Sequence, residues 1–309
     1  MSWHDSALHA AGNAVLHTPF QNLWPLVAAP GLAALVSDRS ARFLARTPQA
    51  SWPAAILAAA PGLAGLGVIW QALQWDVVRT WHGLVMYRIT PLVAAGLAAY
   101  AVMRALQRQA EVARLFAAAA APSDRLRRAA DRLGLRARQL ATADKECFVA
   151  GLLRPTVFVS TGALDQLTDD ELDAALCHER AHVRGYDTPS LFALSLLRDL
   201  APWGRGAALE AFRAAREANA DRQAATSAGP LNLASALVAL ARPGPALAAG
   251  ALPMARNDSL RWRMQALLET EAPPEPGPQR FWPGLALCAA LVAWPAAQLQ
   301  VMWLFCESR

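Results

Sequence analysis

From Trp52 to Leu73 the chain runs about twenty-two residues without a charged side chain, enough helix to cross a hydrocarbon core of about 30 Å. Three further stretches share this character. Ile89–Met103 extends to Leu106 if the Arg104 stem snorkels. Phe281–Phe305 is free of charge and carries Trp282, Trp294 and Trp303, residues suited to a membrane interface. Leu16–Val36 is diluted by His17, Gln21, Asn22 and three prolines. The composition agrees: 55% of residues are hydrophobic, 17% are charged and mean hydropathy is +0.21, greasier than an ordinary soluble domain. The expected layout has two to three spans within residues 1–106 (about 16–36, 52–73 and 89–106). A domain over 107–280 follows, then a last span at 281–305.

Basic residues set the expected orientation. No Lys or Arg precedes Leu16, and Arg39, Arg42 and Arg46 follow the first stretch. Arg79 and Arg88 flank a weaker loop, and Arg104, Arg108, Arg114, Arg125, Arg127 and Arg128 follow the third. The 107–280 segment is therefore expected in the cytoplasm, on a bacterial-type inner membrane. Net charge is +5, but every basic residue except Lys145 is arginine. That pattern fits positive-inside loops, and no nucleic-acid surface is expected. The start lacks the charged region and small-residue cleavage site of a signal peptide. Cys147, Cys177, Cys288 and Cys306 have neither zinc nor disulfide spacing.

Within the central segment stands His178-Glu179-Arg180-Ala181-His182, an H-E-x-x-H pentad. Histidines four apart on a helix share a face, so both imidazoles can reach one metal ion. The glutamate between them can then take a proton from a water on the metal's open side. A helix here is expected on independent grounds. Thr168 and Glu171 form a T-x-x-E capping box, Asp169, Asp170 and Glu171 favour the positive end of the dipole, and Leu172, Ala175, Leu176, Glu179, His182 and Val183 recur at helical spacing up to Gly185. Chance pentads are rare in a chain with six histidines.

Catalytic zinc needs a third protein ligand. Glu217 and Asp221, an i, i+4 pair on a later helical stretch, supply the candidates: Glu217 as ligand, and Asp221 as the carboxylate that orients a histidine. The alternative is a solvated Arg/Glu/Asp face. Asp187 braces either the helix end or the active site. Tyr186, Arg184 and Arg222 are candidate oxyanion donors by proximity alone. Three short strands are expected at Arg136–Thr142, Glu146–Ala150 and Thr156–Ser160. Such a sheet beside the helix could hold an extended peptide on a free edge, although the pattern does not say which edge is free. Helical segments are expected at Gln107–Gly134 (broken at Pro122), Thr188–Leu200 and Leu231–Ala241, and a stiff linker at Ala272–Pro278.

In order, the chain presents a strand, Ser160-Thr161-Gly162-Ala163-Leu164, the capped helix with Cys177 and the pentad, Asp187, an apolar helix, and Glu217-x-x-Ala-Asp221. This resembles the membrane metallopeptidases of the BlaR/MecR antirepressor type, and the related HtpX and CAAX-prenyl-protease group shares the Glu-x-x-Ala-Asp ending. The segment Asp258–Leu268 also resembles what those antirepressors carry before their last span. The resemblance covers about Arg104 to Phe305. It implies an α-helical membrane protein with an α+β zincin-type (gluzincin) domain between spans, one Zn2+ held by His178, His182 and Glu217, and Glu179 as the catalytic base. The partners it implies are a bilayer and a peptide or protein substrate, such as a cytoplasmic repressor. Sensors of this type carry an extracellular penicillin-binding domain after the last span. This sequence ends at Arg309, so a member without that sensor is expected. Quality control of membrane proteins, as in HtpX, and a signalling module with minor peptidase activity are the competing expectations.

Overall fold

The computed structural model describes residues 19–41, 51–74, 81–200, 206–241, 252–253, 257–268, 286–290 and 292–293. Three helices lie where the N-terminal spans are expected: α1 (Pro19–Ala41), α2 (Ser51–Gln74) and α3 (Trp81–Ala118). Among the described residues no helix is long and apolar enough to cross a membrane. The spans at 16–36, 52–73 and 89–106 thus appear as helices but are not shown as spans. Most of 281–305, with the linker before it, lies outside the described residues.

The remaining elements are β1 (Ala119–Ala120), α4 (Asp124–Leu133), β2 (Ala137–Leu140), β3 (Cys147–Ala150), β4 (Thr156–Ser160), α5 (Thr161–Gln166), α6 (Asp169–Arg184), α7 (Asp187–Leu200), α8 (Ala207–Ala228), α9 (Pro230–Leu240), β5 (Leu252–Pro253) and α10 (Asn257–Leu268). The strands form one mixed sheet in the order β1-β2-β4-β3-β5. Only β2 and β4 run parallel; the other neighbours are antiparallel.

Strands β3 and β4 are buried throughout, because both faces of the sheet are covered. Cys147, Val149, Val157 and Val159 point into the main core, with Leu126 of α4 and Leu172, Ala175 and Leu176 of α6. Phe148 and Phe158 point the other way, onto Leu115 and Phe116 of α3. Phe158 meets Phe116 edge-on at 5.0 Å and stacks on Phe148 at 5.6 Å, geometries that suit the ring quadrupoles. One helix of 38 residues therefore runs from the expected third span straight into the core of the domain.

The N-terminal helices are packed on the domain as well. Leu57 of α2 is fully buried with Leu191 and Leu194 of α7 and Leu209 and Phe212 of α8. A Cβ on Gly62 would stand 2.3 Å from the Leu197 carbonyl oxygen, so only glycine lets α2 approach α7 this closely. Asp38 of α1 accepts the Ala207 N–H at 2.9 Å, supplying the cap that α8 lacks from its own N-terminal glycine, Gly206. Arg108 of α3 and Asp199 of α7 form a largely buried ion pair at 2.5 Å.

Candidate active site

Helix α6 begins as expected. Thr168 Oγ1 accepts the Glu171 N–H at 3.3 Å, and Glu171 Oε2 accepts the Thr168 N–H at 2.8 Å, satisfying two otherwise unpaired donors. The helix then buries Leu172, Ala174, Ala175 and Leu176, and in its last turns His178, Glu179, Ala181 and His182. Alongside runs α8, which after Leu209 and Phe212 buries only Ala215, Ala218, Ala220, Asp221 and Ala224. Small side chains let two helices approach closely. That approach brings Glu217 to the histidine pair.

His178 Nε2 and His182 Nε2 face each other at 3.0 Å. Glu217 Oε1 lies 3.4 Å from His182 Nε2, and Oε2 lies 3.5 Å from His178 Nε2. One donor atom from each of these residues falls within 4.8 Å of the others. Behind each histidine stands a carboxylate with an arginine behind it. His182 Nδ1 is 2.6 Å from Asp187 Oδ2, and Arg216 Nε donates to Asp187 Oδ1 at 2.5 Å. His178 Nδ1 is 2.9 Å from Asp221 Oδ1, a contact short in distance but bent from hydrogen-bond alignment. Arg263 Nε and Nη2 donate to the two Asp221 oxygens at 2.7 and 2.6 Å. Gly185 makes room for the first chain: a Cβ there would fall 1.7 Å from Arg216 Nη2.

The electrostatics follow from burial and these neighbours. Burial alone would lower the basicity of His178, but the Asp221 and Glu217 carboxylates beside it outweigh that and raise it to about 9. Burial opposes the charge on Glu217 and Asp221 too, yet Arg263 with both histidines lowers Glu217, and Arg263 with His178 holds Asp221 below the usual range. Glu179 differs: it is fully buried, neither carboxylate oxygen has a hydrogen-bond partner, and desolvation lifts it to about 7.

These residues fit a divalent cation. Two imidazole nitrogens and a carboxylate are the donor set of a catalytic zinc with an open position. Glu217 Oε2 and both Glu179 oxygens are buried polar atoms without a hydrogen bond, a costly state that a cation and its water would relieve.

Of the expected site residues, His178, Glu179, His182, Glu217, Asp221 and Asp187 come together. Tyr186 is 73% exposed at a left-handed φ of 52°. Arg184 is exposed, and Arg222 points into solvent with Nη2 on Asn219 Oδ1 at 3.2 Å. These three stand apart from the cluster. Two residues that sequence reasoning passed over do join it: Arg216, directly before Glu217, and Arg263. A signal for Arg263 was present, because it interrupts the apolar i, i+3, i+4, i+7 stripe of Leu260, Met264 and Leu267. An arginine inside such a stripe needs a buried anion.

Fold and site are those of a metallopeptidase, a helix-borne histidine pair closed by a carboxylate from a second helix. Residues 103–270 match the family described as Peptidase family M48, and with more than half of its length covered the chain belongs to that family. M48 peptidases are typically zinc-dependent. No curated protein matches the chain.

Proposed function

We propose that the chain is a zinc-dependent endopeptidase, held at a bacterial-type inner membrane, that cuts a cytoplasmic protein such as a transcriptional repressor. The observation that carries the chemistry is the meeting of His178, His182 and Glu217 beside the buried, unpartnered Glu179 carboxylate. His178, His182 and Glu217 would hold the ion. Bound zinc supplies a Lewis acid that polarises the scissile carbonyl and lowers the pKa of a water toward about 7. Glu179, whose buried carboxylate has no hydrogen-bond partner, takes the proton of the attacking water and passes it to the departing amine. Asp187 and Asp221 hold the two imidazoles in the tautomer that presents Nε2 to the ion.

Membrane attachment is supported by apolar side chains left open on the first three helices. Leu35, Leu92, Val102 and Leu106 are each more than half exposed, more than scattered surface leucines explain. The repressor substrate is supported by the antirepressor resemblance of the motif order.

The test compares protein N-termini in cells carrying the wild-type chain and cells carrying Glu179→Gln. One or a few new cytoplasmic N-termini, lost in the variant, are the expected result. Many weak cuts in membrane proteins would replace the regulatory role with quality control. No difference under any stress applied would contradict the peptidase reading.

A further inference from the structure

The histidines, Glu179, Glu217 and the two orienting aspartates sit on α6, α7 and α8. The cation that ties the carboxylates of α8 together comes from elsewhere. Arg263 lies on α10, 42 residues after Asp221 in sequence, and its side chain is 1% exposed. Its fork closes on Asp221 at 2.7 and 2.6 Å, and its remaining nitrogen, Nη1, lies 3.1 Å from Glu217 Oε2. A single guanidinium thus spans the ligand Glu217 and the carboxylate behind His178. Only arginine, with a rigid planar fork, can fix two carboxylates in this way.

Leu260, Met264 and Leu267 of α10 pack partly buried against the main core. A buried guanidinium without its anions is strongly unfavourable, as are a buried and a largely buried carboxylate one helical turn apart without their cation. Docking of α10 and the set of the carboxylates therefore depend on each other. The positive charge of Arg263 opposes a nearby metal ion, but the two hydrogen bonds of the fork place that charge on Asp221. Glu217 has only the longer contact and keeps charge for an ion. Orientation is then the larger effect.

We propose that Arg263 is a positioning residue of the metal centre, and that through it metal occupancy and the docking of α10 are coupled. This rests on the reading of His178, His182 and Glu217 as metal ligands. Coupling of this kind is reciprocal: if docked α10 raises the affinity for metal, metal tightens the docking of α10.

The experiment uses the full chain in detergent. Zinc affinity is measured by competition with a chromophoric chelator, and amide exchange of residues 257–268 is followed with and without zinc. Arg263→Met is expected to weaken zinc binding roughly 10- to 100-fold. Arg263→Lys, which keeps the charge but not the fork, recovers part of that loss. Arg261→Met, an exposed position on the same helix, leaves the affinity unchanged. In the wild type, zinc slows exchange across 257–268; in Arg263→Met it does not. If Arg263→Met is too unstable to purify, Arg263→Lys and the wild-type exchange data still decide. Zinc binding as tight in Arg263→Lys as in the wild type, or wild-type exchange at 257–268 indifferent to zinc, would overturn the inference. A wild-type chain that takes up no zinc would overturn the metal reading itself, and this inference with it.

Discussion

Glu179 is the one acid at the site with neither an arginine nor an aligned hydrogen bond: Asp187 has Arg216, Asp221 has Arg263, and Glu217 lies 3.1 Å from Arg263. An unpaired buried carboxylate is a stability penalty, retained here where a base is needed. Glu179→Gln keeps the shape and removes the base, so peptidase activity should fall roughly 10²- to 10⁴-fold while zinc content stays at the wild-type level; parallel activity and metal assays check this. Asp187→Asn should act on metal instead. It leaves Arg216 partly buried without its anion and loosens His182, and zinc affinity should fall roughly tenfold or more, read by chelator competition. The residue scale is where the sequence speaks most clearly. The pentad, Glu217 and Asp221 are legible because each motif lies within one or two helical turns. The arginines are not, because Arg216 and Arg263 find their aspartates 29 and 42 residues away, and no local pattern carries that pairing.

At the scale of elements, α6 was readable from both ends. The Thr168–Glu171 box starts it, and Gly185 follows its last residue, Arg184. Thr168→Ala removes the acceptor for the Glu171 N–H and should cost about 1 kcal/mol, seen as a fall of a few degrees in Tm. The strands were also expected close to their places, at Ala137–Leu140, Cys147–Ala150 and Thr156–Ser160. Their order was not legible. β4 pairs parallel with β2 and antiparallel with β3, and segments of four or five residues do not specify neighbours. The edge that the sequence left undecided carries β5, with Leu252 and Pro253 opposite Val149 and Phe148. β3 is therefore already paired on both sides. Helix α3 hid its reach for a related reason. Val112, Leu115 and Phe116 cover the sheet, while in sequence the segment from Gln107 reads only as a helix broken at Pro122.

Across the whole molecule, the N-terminal helices pack on α7 and α8 in a buried apolar contact. Leu57, Leu191, Leu209 and Phe212 meet in it, and Gly62 sits against Leu197. Gly62→Ala should push α2 away from α7 and destabilise the protein by about 1–3 kcal/mol, measured as a lowered unfolding midpoint in detergent. Because α7 starts at Asp187, strain at this contact has a short path to His182. The sequence shows the apolar runs but not that they pack on α7 and α8, since alanine-rich helices suit lipid and protein neighbours equally. All of this chemistry depends on His178, His182 and Glu217 holding a single metal ion. X-ray absorption at the zinc edge of the purified chain tests it most directly. The expected result is one zinc per chain in a shell of nitrogen and oxygen only, at about 2.0–2.2 Å, lost in His178→Ala. A sulfur shell at about 2.3 Å, or stoichiometric zinc that survives His178→Ala, would contradict it.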